Sequence, residues 1–245
     1  MNVLIIQARV NSTRMPKKIL YKLGNITVLD HVITRAKQSK YFSKIVIAVP
    51  EGDEEEIKDG INDKSIEIFS GSENDVMSRY YECANNYSAR TICRITSDCP
   101  FLDWRILDRC YEKYTELDNK YYVANTCPPP STYPDGMDVE IFSMDMLKKA
   151  YENETLQENR EHVTFQFWKS NEYKSYQVDN TEDLSDFRFT IDYNEDYLRL
   201  KNIAENFCPN GEDLSLNTIV SLLEKNGCLD EFKQSHLRNS GWGKQ

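Results

Sequence analysis

The chain opens on an unbroken apolar run, Val3 to Ile6. It is too short for a helix and rich in β-branched residues, so it predicts a strand buried on both faces. Lys44 to Val49 (KIVIAV), Ser65 to Phe69 (SIEIF) and Thr91 to Ile95 (TICRI) predict three more strands. Between them the apolar positions fall at helical spacing. Val28, Leu29, Val32, Ile33 and Ala36 predict a helix over 28–37. Glu54 to Ile61 predicts a short acidic helix, and Asp75 to Tyr87 a third one capped by Asn74 or Asp75. Strand and helix therefore alternate, which reads as an α/β fold: a mostly parallel sheet of right-handed βαβ units flanked by helices.

The order changes after Asp98. Helices are predicted over 105–117, 143–151, 156–168, 195–207 and 216–225, and strands over 121–124, 138–142, 173–178 and 188–191. Asn125 to Gly136 (NTCPPPSTYPDG) carries four prolines and reads as a semi-rigid surface loop. The last residues, Asn239 to Gln245, read as a loose tail. Neither a repeat nor a linker breaks the pattern. We expect a main domain over 1–212 and a helical extension with its tail over 213–245.

Charge is distributed unevenly. The chain carries a formal net charge of −10, yet its first 29 residues hold five basic side chains and no acid. Arg9, Arg14, Lys17 and Lys18 crowd the loop that follows the first strand. In open α/β sheets that is where phosphates bind; the alternative is a solvated basic loop. The overall acidity disfavours general nucleic-acid binding. No apolar run approaches the roughly 20 residues of a membrane helix, and the first is too short for a signal peptide, so a cytoplasmic location is expected. The seven cysteines are scattered without a C-x-x-C pair, which argues for reduced thiols and against a zinc site.

Three further stretches could carry chemistry. The basic loop lacks the glycines of a Walker or dinucleotide loop, so its charge comes from side chains, with hydroxyls from Ser12 and Thr13. Asp98 follows the fourth strand and could hold a Mg²⁺ ion; the alternative is a helix cap, a role Asp103 can already fill. Asp192 ends the segment Arg188 to Ile191. If that segment lies beside the fourth strand, the two acids could share the ion, since paired carboxylates repel without a cation between them. The alternative is that Asp192, with Glu195 and Asp196, merely starts a helix. The proline-rich loop, with Tyr133, Asp138 and Glu140, is the candidate acceptor pocket, and His162 a candidate polar contact. His31, in an amphipathic helix, reads as structural.

With these stretches in place, a family resemblance is visible. I-I-Q-A-R-x-x-S-T-R-x-P-x-K-x-L over Ile5 to Leu20 resembles the opening of the cytidylyltransferases that activate sugar acids. The group named after spore-coat polysaccharide biosynthesis protein F is the most similar, with the Kdo and acylneuraminate enzymes related. D-V-M-S-R-Y (75–80), R-I-T-S-D-C-P (94–100), G-M-D-V-E (136–140), R-E-H-V (160–163) and F-T-I-D (189–192) follow in the order expected of that group.

The resemblance implies a nucleotide-diphospho-sugar transferase fold, GT-A-like and Rossmann-like. It implies transfer of CMP from CTP to a sugar acid of the nonulosonic type, yielding a CMP-sugar and pyrophosphate for surface polysaccharide. Expected at the CTP are Ala8, Arg9, Ser12, Thr13, Arg14, Lys18, Arg79 and Thr96, with Arg9, Arg14 and Lys18 as catalytic cations. Asp98 and Asp192 are expected to hold Mg²⁺, and Tyr133, Asp138, Glu140 and His162 to meet a small anionic sugar acceptor. A homodimer is implied, with no nucleic-acid or membrane partner. Asn11 and Lys17 stand where the group often has glycine. The rival readings are a nucleotidyltransferase with another nucleotide or a non-sugar acceptor, a GT-A glycosyltransferase and a non-catalytic nucleotide-binding module. The glycosyltransferase would want a D-x-D pair, which Asp98-Cys99-Pro100 does not supply.

Overall fold

The computed structural model describes residues 1–234; the expected tail over 239–245 lies outside the described residues. Its first half runs β1 (Asn2–Gln7), β2 (Lys22–Leu23), β3 (Ile26–Thr27), α1 (Val28–Ala36), β4 (Lys44–Pro50), α2 (Glu54–Gly60), β5 (Glu67–Gly71), α3 (Val76–Asn86) and β6 (Thr91–Thr96). The second half runs α4 (Trp104–Glu116), β7 (Tyr122–Ala124), β8 (Glu140–Ser143), α5 (Met144–Asn153), α6 (Gln157–His162), α7 (Phe165–Lys169), β9 (Ser175–Gln177), α8 (Asn194–Phe207) and α9 (Leu216–Lys225).

Seven strands form one sheet in the order β5-β4-β1-β6-β8-β7-β9, while β2 and β3 make a separate hairpin. β5, β4, β1 and β6 are parallel; β8 runs antiparallel to β6 and β7, and β9 parallel to β7. β1 is central because its side chains are apolar on both faces. Leu4 and Ile6 pack with apolar residues of α1, α4, α8 and α9. Val3 and Ile5 pack with those of α3, α5 and α7 on the other face.

From β1 the chain moves outward through β4 to β5, then α3 carries it back to β6 on the far side of β1. That reversal sets the C-terminal ends of β1 and β6 side by side, with Gln7 in register with Thr96. A crevice at such a point is where open α/β sheets bind ligands.

Two expected elements differ. Residues 188–191 are not a strand of the sheet, because β8 occupies the place beside β6. The segment is extended all the same. Phe187, Phe189 and Ile191 are buried in the core, and Arg188 makes a single bridge to Asp135. The helix expected over 156–168 is broken into α6 and α7 at Val163, whose φ is 62°. Smaller shifts occur at β5, which starts at Glu67, and at β8, which starts at Glu140.

The C-terminal helix is tied to the main core. Leu216, Ile219 and Leu223 join the cluster around Leu4. The buried Arg35 guanidinium donates to the carbonyls of Pro100, Glu212 and Leu214. His31 is fully buried against the Leu23 carbonyl at 2.9 Å. Burial pushes its pKa down to about 4, so it packs as a neutral ring. All seven cysteines are free. Among the described residues, no helix is long and apolar enough to cross a membrane.

Candidate active site

The loop after β1 is held from both ends. Ala8 N–H donates to the Ala48 carbonyl, and Val10 N–H to the buried Asp53 carboxylate at 2.8 Å. The Val10 carbonyl in turn accepts from Ser12 and Lys17 N–H. Val10 and Met15 bury their side chains, so Ser12 to Arg14 are presented on a fixed turn. Lys17 is left-handed, with φ 60°. That conformation costs a residue with a Cβ about 1–2 kcal/mol, which is why glycine suits this position. Its ammonium turns away from the crevice to Glu56.

Lys18 turns inward. Its ammonium lies 2.8 Å from Asp98 Oδ2 and 3.1 Å from Asp192 Oδ1, and also donates to the Ile191 carbonyl. Burial works against its charge, but the two carboxylates outweigh burial and raise its pKa. Burial likewise favours neutral Asp98, yet Lys18 holds that pKa down. Asp192 is held down too, against burial, by Lys18, Arg188 and Arg14. The cation required between the two acids is thus the lysine itself.

Asp192 reaches Asp98 without strand pairing. Ile191 N–H donates to the Asp98 carbonyl at 3.0 Å, and the Thr190 hydroxyl donates to the same oxygen. Arg188 then fixes the carboxylate: its guanidinium binds Asp192 at 2.8 Å, Asp196 at 3.1 Å, and Asp135. Asp196 accepts from Asp192 and Tyr193 N–H at the start of α8, so it carries the capping role. Asp103 is the N-cap of α4, its carboxylate accepting from Arg105 N–H, which leaves Asp98 uncommitted to a helix.

Two adjoining hollows meet here. The larger, about 490 Å³, is walled by the β1 loop (Ala8, Arg9, Ser12 to Arg14, Lys18), by Asn74 and Arg79, by Thr96 to Asp98, and by Asp192. The smaller, about 250 Å³, is walled by Asp135, Asp138, Glu140, Thr126, Arg188 and Thr190. Arg14, Arg94, Thr96, Asp98, His162 and Asp192 line both. Arg79 is buried. Its pKa is lowered by burial, and its Nε has no hydrogen-bond partner among the described residues.

Of the residues singled out from the sequence, all the nucleotide-side and metal-side positions face the larger hollow. On the acceptor side, Asp138, Glu140 and His162 face the smaller one. Tyr133 does not: its ring is buried in the core and its hydroxyl accepts from Arg109. Glu140 is a buried anchor for Arg94, the Tyr122 hydroxyl and the Thr164 hydroxyl. The sequence reading carried Gln7, Arg94 and Arg188 inside its motifs but gave none of them a role. Gln7 and Glu140 together orient Arg94. The signal for Arg188 was the alternation F-R-F-T-I-D, which puts its polar members on one side of an extended chain.

The residues also fit a divalent ion. Asp98 and Asp192 converge on one point and stay ionised. Among the described residues no group of three or more His, Cys, Asp or Glu is placed to hold a metal. An ion here would take two carboxylates and complete its shell with phosphate oxygens and water, the habit of Mg²⁺.

The family model for cytidylyltransferases matches residues 3–231. The chain belongs to this family. It is therefore a nucleotidyltransferase enzyme, and its sheet is that of the nucleotide-diphospho-sugar transferase fold. The spore coat polysaccharide biosynthesis protein SpsF of Bacillus subtilis is 30% identical over 236 residues, spanning 91% of this chain and 93% of that protein. A cytidylyltransferase structure from Leptospira borgpetersenii superposes with a TM-score of 0.87 at 29% identity, covering 97% and 99% of the two chains. The fold extends to a CMP:2-keto-3-deoxy-manno-octonic acid synthetase solved with CTP, at TM-score 0.63 and 14% identity, covering 82% of this cytidylyltransferase and 97% of that chain.

Proposed function

We propose that the enzyme transfers CMP from CTP to a hydroxyl of a sugar acid, releasing pyrophosphate and a CMP-sugar for polysaccharide synthesis. The observation that carries this reading is the junction of the two hollows, where Lys18, Arg14, Asp98 and Asp192 meet. The larger hollow is of a size usual for small-ligand sites. CTP is the nucleotide in the complex of the octonic acid synthetase that shares the fold. The SpsF relative is named for polysaccharide synthesis.

In this reading Arg9, Ser12, Thr13, Arg14 and Lys18 cradle the triphosphate, and Arg79 walls the same hollow. The acceptor oxygen attacks the α-phosphorus in line from the smaller hollow. Phosphoryl-type transfers ask the protein mainly for positioning and charge neutralisation, which these side chains supply. Asp98 and Asp192 would hold Mg²⁺, which when bound adds Lewis-acid charge at the phosphates. Five basic and four acidic residues line the larger hollow, a surplus of one positive charge. That surplus is small for a triphosphate, so the nucleotide fits best with a divalent companion.

Pyrophosphate release should be measured with CTP, UTP and ATP across a panel of sugar acids and neutral sugars. Turnover with CTP and a sugar acid is the expected result. Preference for UTP would indicate a different pyrophosphorylase. Binding without turnover across the panel would indicate a non-catalytic module.

A further inference from the structure

Cytidylyl transfer must dispose of the acceptor hydroxyl's proton. The two acids at the junction are poorly placed for it, because Lys18 engages both and Arg14 and Arg188 also bind Asp192, whereas a general base needs a free acceptor within reach of the proton. We propose that His162 is the general base that accepts this proton, an assignment that rests on the cytidylyl-transfer reading above.

The geometry points to it. His162 ends α6 on the wall shared by both hollows, where the two substrates would meet. Its ring stacks nearly flat on Phe165, with centroids 4.2 Å apart and planes 13° apart. Neither ring nitrogen has a hydrogen-bond partner among the described residues. The backbone around it is strained. Thr164 N–H donates to the His162 carbonyl at 2.6 Å. The enclosed Val163 has φ 62° and ψ −53°, a γ-turn of the rare hand on a buried β-branched residue. Such strain persists where the surroundings over-determine it, and it clusters at functional sites.

The surroundings do over-determine it. The Thr164 hydroxyl donates to the buried Glu140 carboxylate, which Arg94 and Tyr122 hold in turn. Arg160 clamps α6 to Asp75 at the start of α3. The turn therefore delivers one imidazole to a fixed place on the cavity wall.

The charges around the ring favour the neutral form. Burial first, then Arg94, lowers its pKa; Glu161 and Glu158 oppose this, and Lys169 adds to it. Arg14, Asp98, Asp138 and Asp192 face the smaller hollow with it. In the proposed step the acceptor O–H bond breaks and its proton passes to a ring nitrogen. The oxygen's electron pair forms the new bond to the α-phosphorus. The bond to the β-phosphate bridge breaks, and its pair leaves with pyrophosphate. The imidazolium then returns the proton to water.

The test is the pH profile of pyrophosphate release from pH 5 to 9, with Mg²⁺, CTP and whichever panel acceptor turns over best. In the wild type, kcat/KM should fall on the acid side through one ionisation below the ordinary histidine value of about 6.5. His162→Gln should lower kcat by about 10²–10³-fold with KM for CTP changed less than about threefold, and should lose the acid limb. Added imidazole should restore part of the His162→Ala rate, which a purely structural histidine would not permit. Retention of the acid limb, or of more than about a third of wild-type kcat, in His162→Gln would overturn the assignment. Should both variants fail to fold, a wild-type profile flat between pH 5 and 6.5 would overturn it too. Absence of release from the wild type with every acceptor would instead overturn the cytidylyl-transfer reading itself.

Discussion

Lys18→Ala is expected to lower pyrophosphate release from CTP by about 10²–10³-fold, the usual cost of removing a preorganised charge from a transition state. Lys18 is the group on which Asp98 and Asp192 both converge. Without it, a triphosphate entering the hollow meets an uncompensated Asp98 carboxylate, beside an Asp192 that keeps only Arg14 and Arg188. The same loss should lower thermal stability, because two like charges then face each other with no cation between them. Added Mg²⁺ should therefore stabilise Lys18→Ala more than it stabilises the wild type, in a thermal melt with no nucleotide present. Lys18→Arg should recover little activity, since a planar fork does not replace a point charge between two acids.

The Lys18 trio also sets a pH window. The depressed carboxylates contribute stability above their unfolded values of about 4, lost as pH falls through the folded ones. The raised lysine contributes below about 10.4, lost as pH rises through its folded value. Both conditions hold across neutral pH. Wild-type-like turnover in Lys18→Ala would remove this group from the mechanism.

The second large effect is on stability. Arg188→Met should destabilise the fold by about 3–5 kcal/mol, because it strands the buried Asp196 carboxylate and takes a partner from the half-buried Asp135 and Asp192. The side chain is only 5% exposed and binds Asp135, Asp192 and Asp196. Burial opposes its charge, but Asp196, Asp135 and Asp192 raise its pKa regardless. For a chain of this length the loss corresponds to a fall in Tm of roughly 6–20 °C. Activity should fall as well, since Asp192 loses the contact that aims it at Lys18. Denaturant and thermal melts at neutral pH check the first effect, and a Tm within about 2 °C of wild type would contradict it.

The sheet was readable because its central strands are apolar on both faces and its crossover helices carry a clear apolar stripe. β1, β4 and β6 and helices α1, α3 and α4 appear within a residue or two of expectation. The segment over 188–191 shows where pattern reading stops. Its alternation correctly signals an extended chain, but which neighbour it pairs with depends on β8 arriving first beside β6. The break at Val163 was not legible, since a valine at φ 62° contradicts its own local preference and is imposed by Glu140 and Thr164. Lys17, in the left-handed position of the loop, is a similar case.

The candidate site was legible in its charged members, because Arg9, Arg14, Lys18, Asp98 and Asp192 fall at strand ends or in the loops beyond them. Tyr133 was misplaced because a proline-rich loop was read as wholly exposed, whereas this ring turns into the core. Arg94 opens one of the motifs but received no role, because it lies inside a strand, where charge is unexpected unless a partner such as Glu140 lies directly across.

The most direct test of the account is a crystal structure with CTP and Mg²⁺ bound. The account predicts the triphosphate along Arg9, Ser12, Arg14 and Lys18, with the ion held by Asp98 and Asp192 and the α-phosphate facing the smaller hollow. A nucleotide whose phosphates lie off the β1 loop, or an ion bound away from both aspartates, would contradict it.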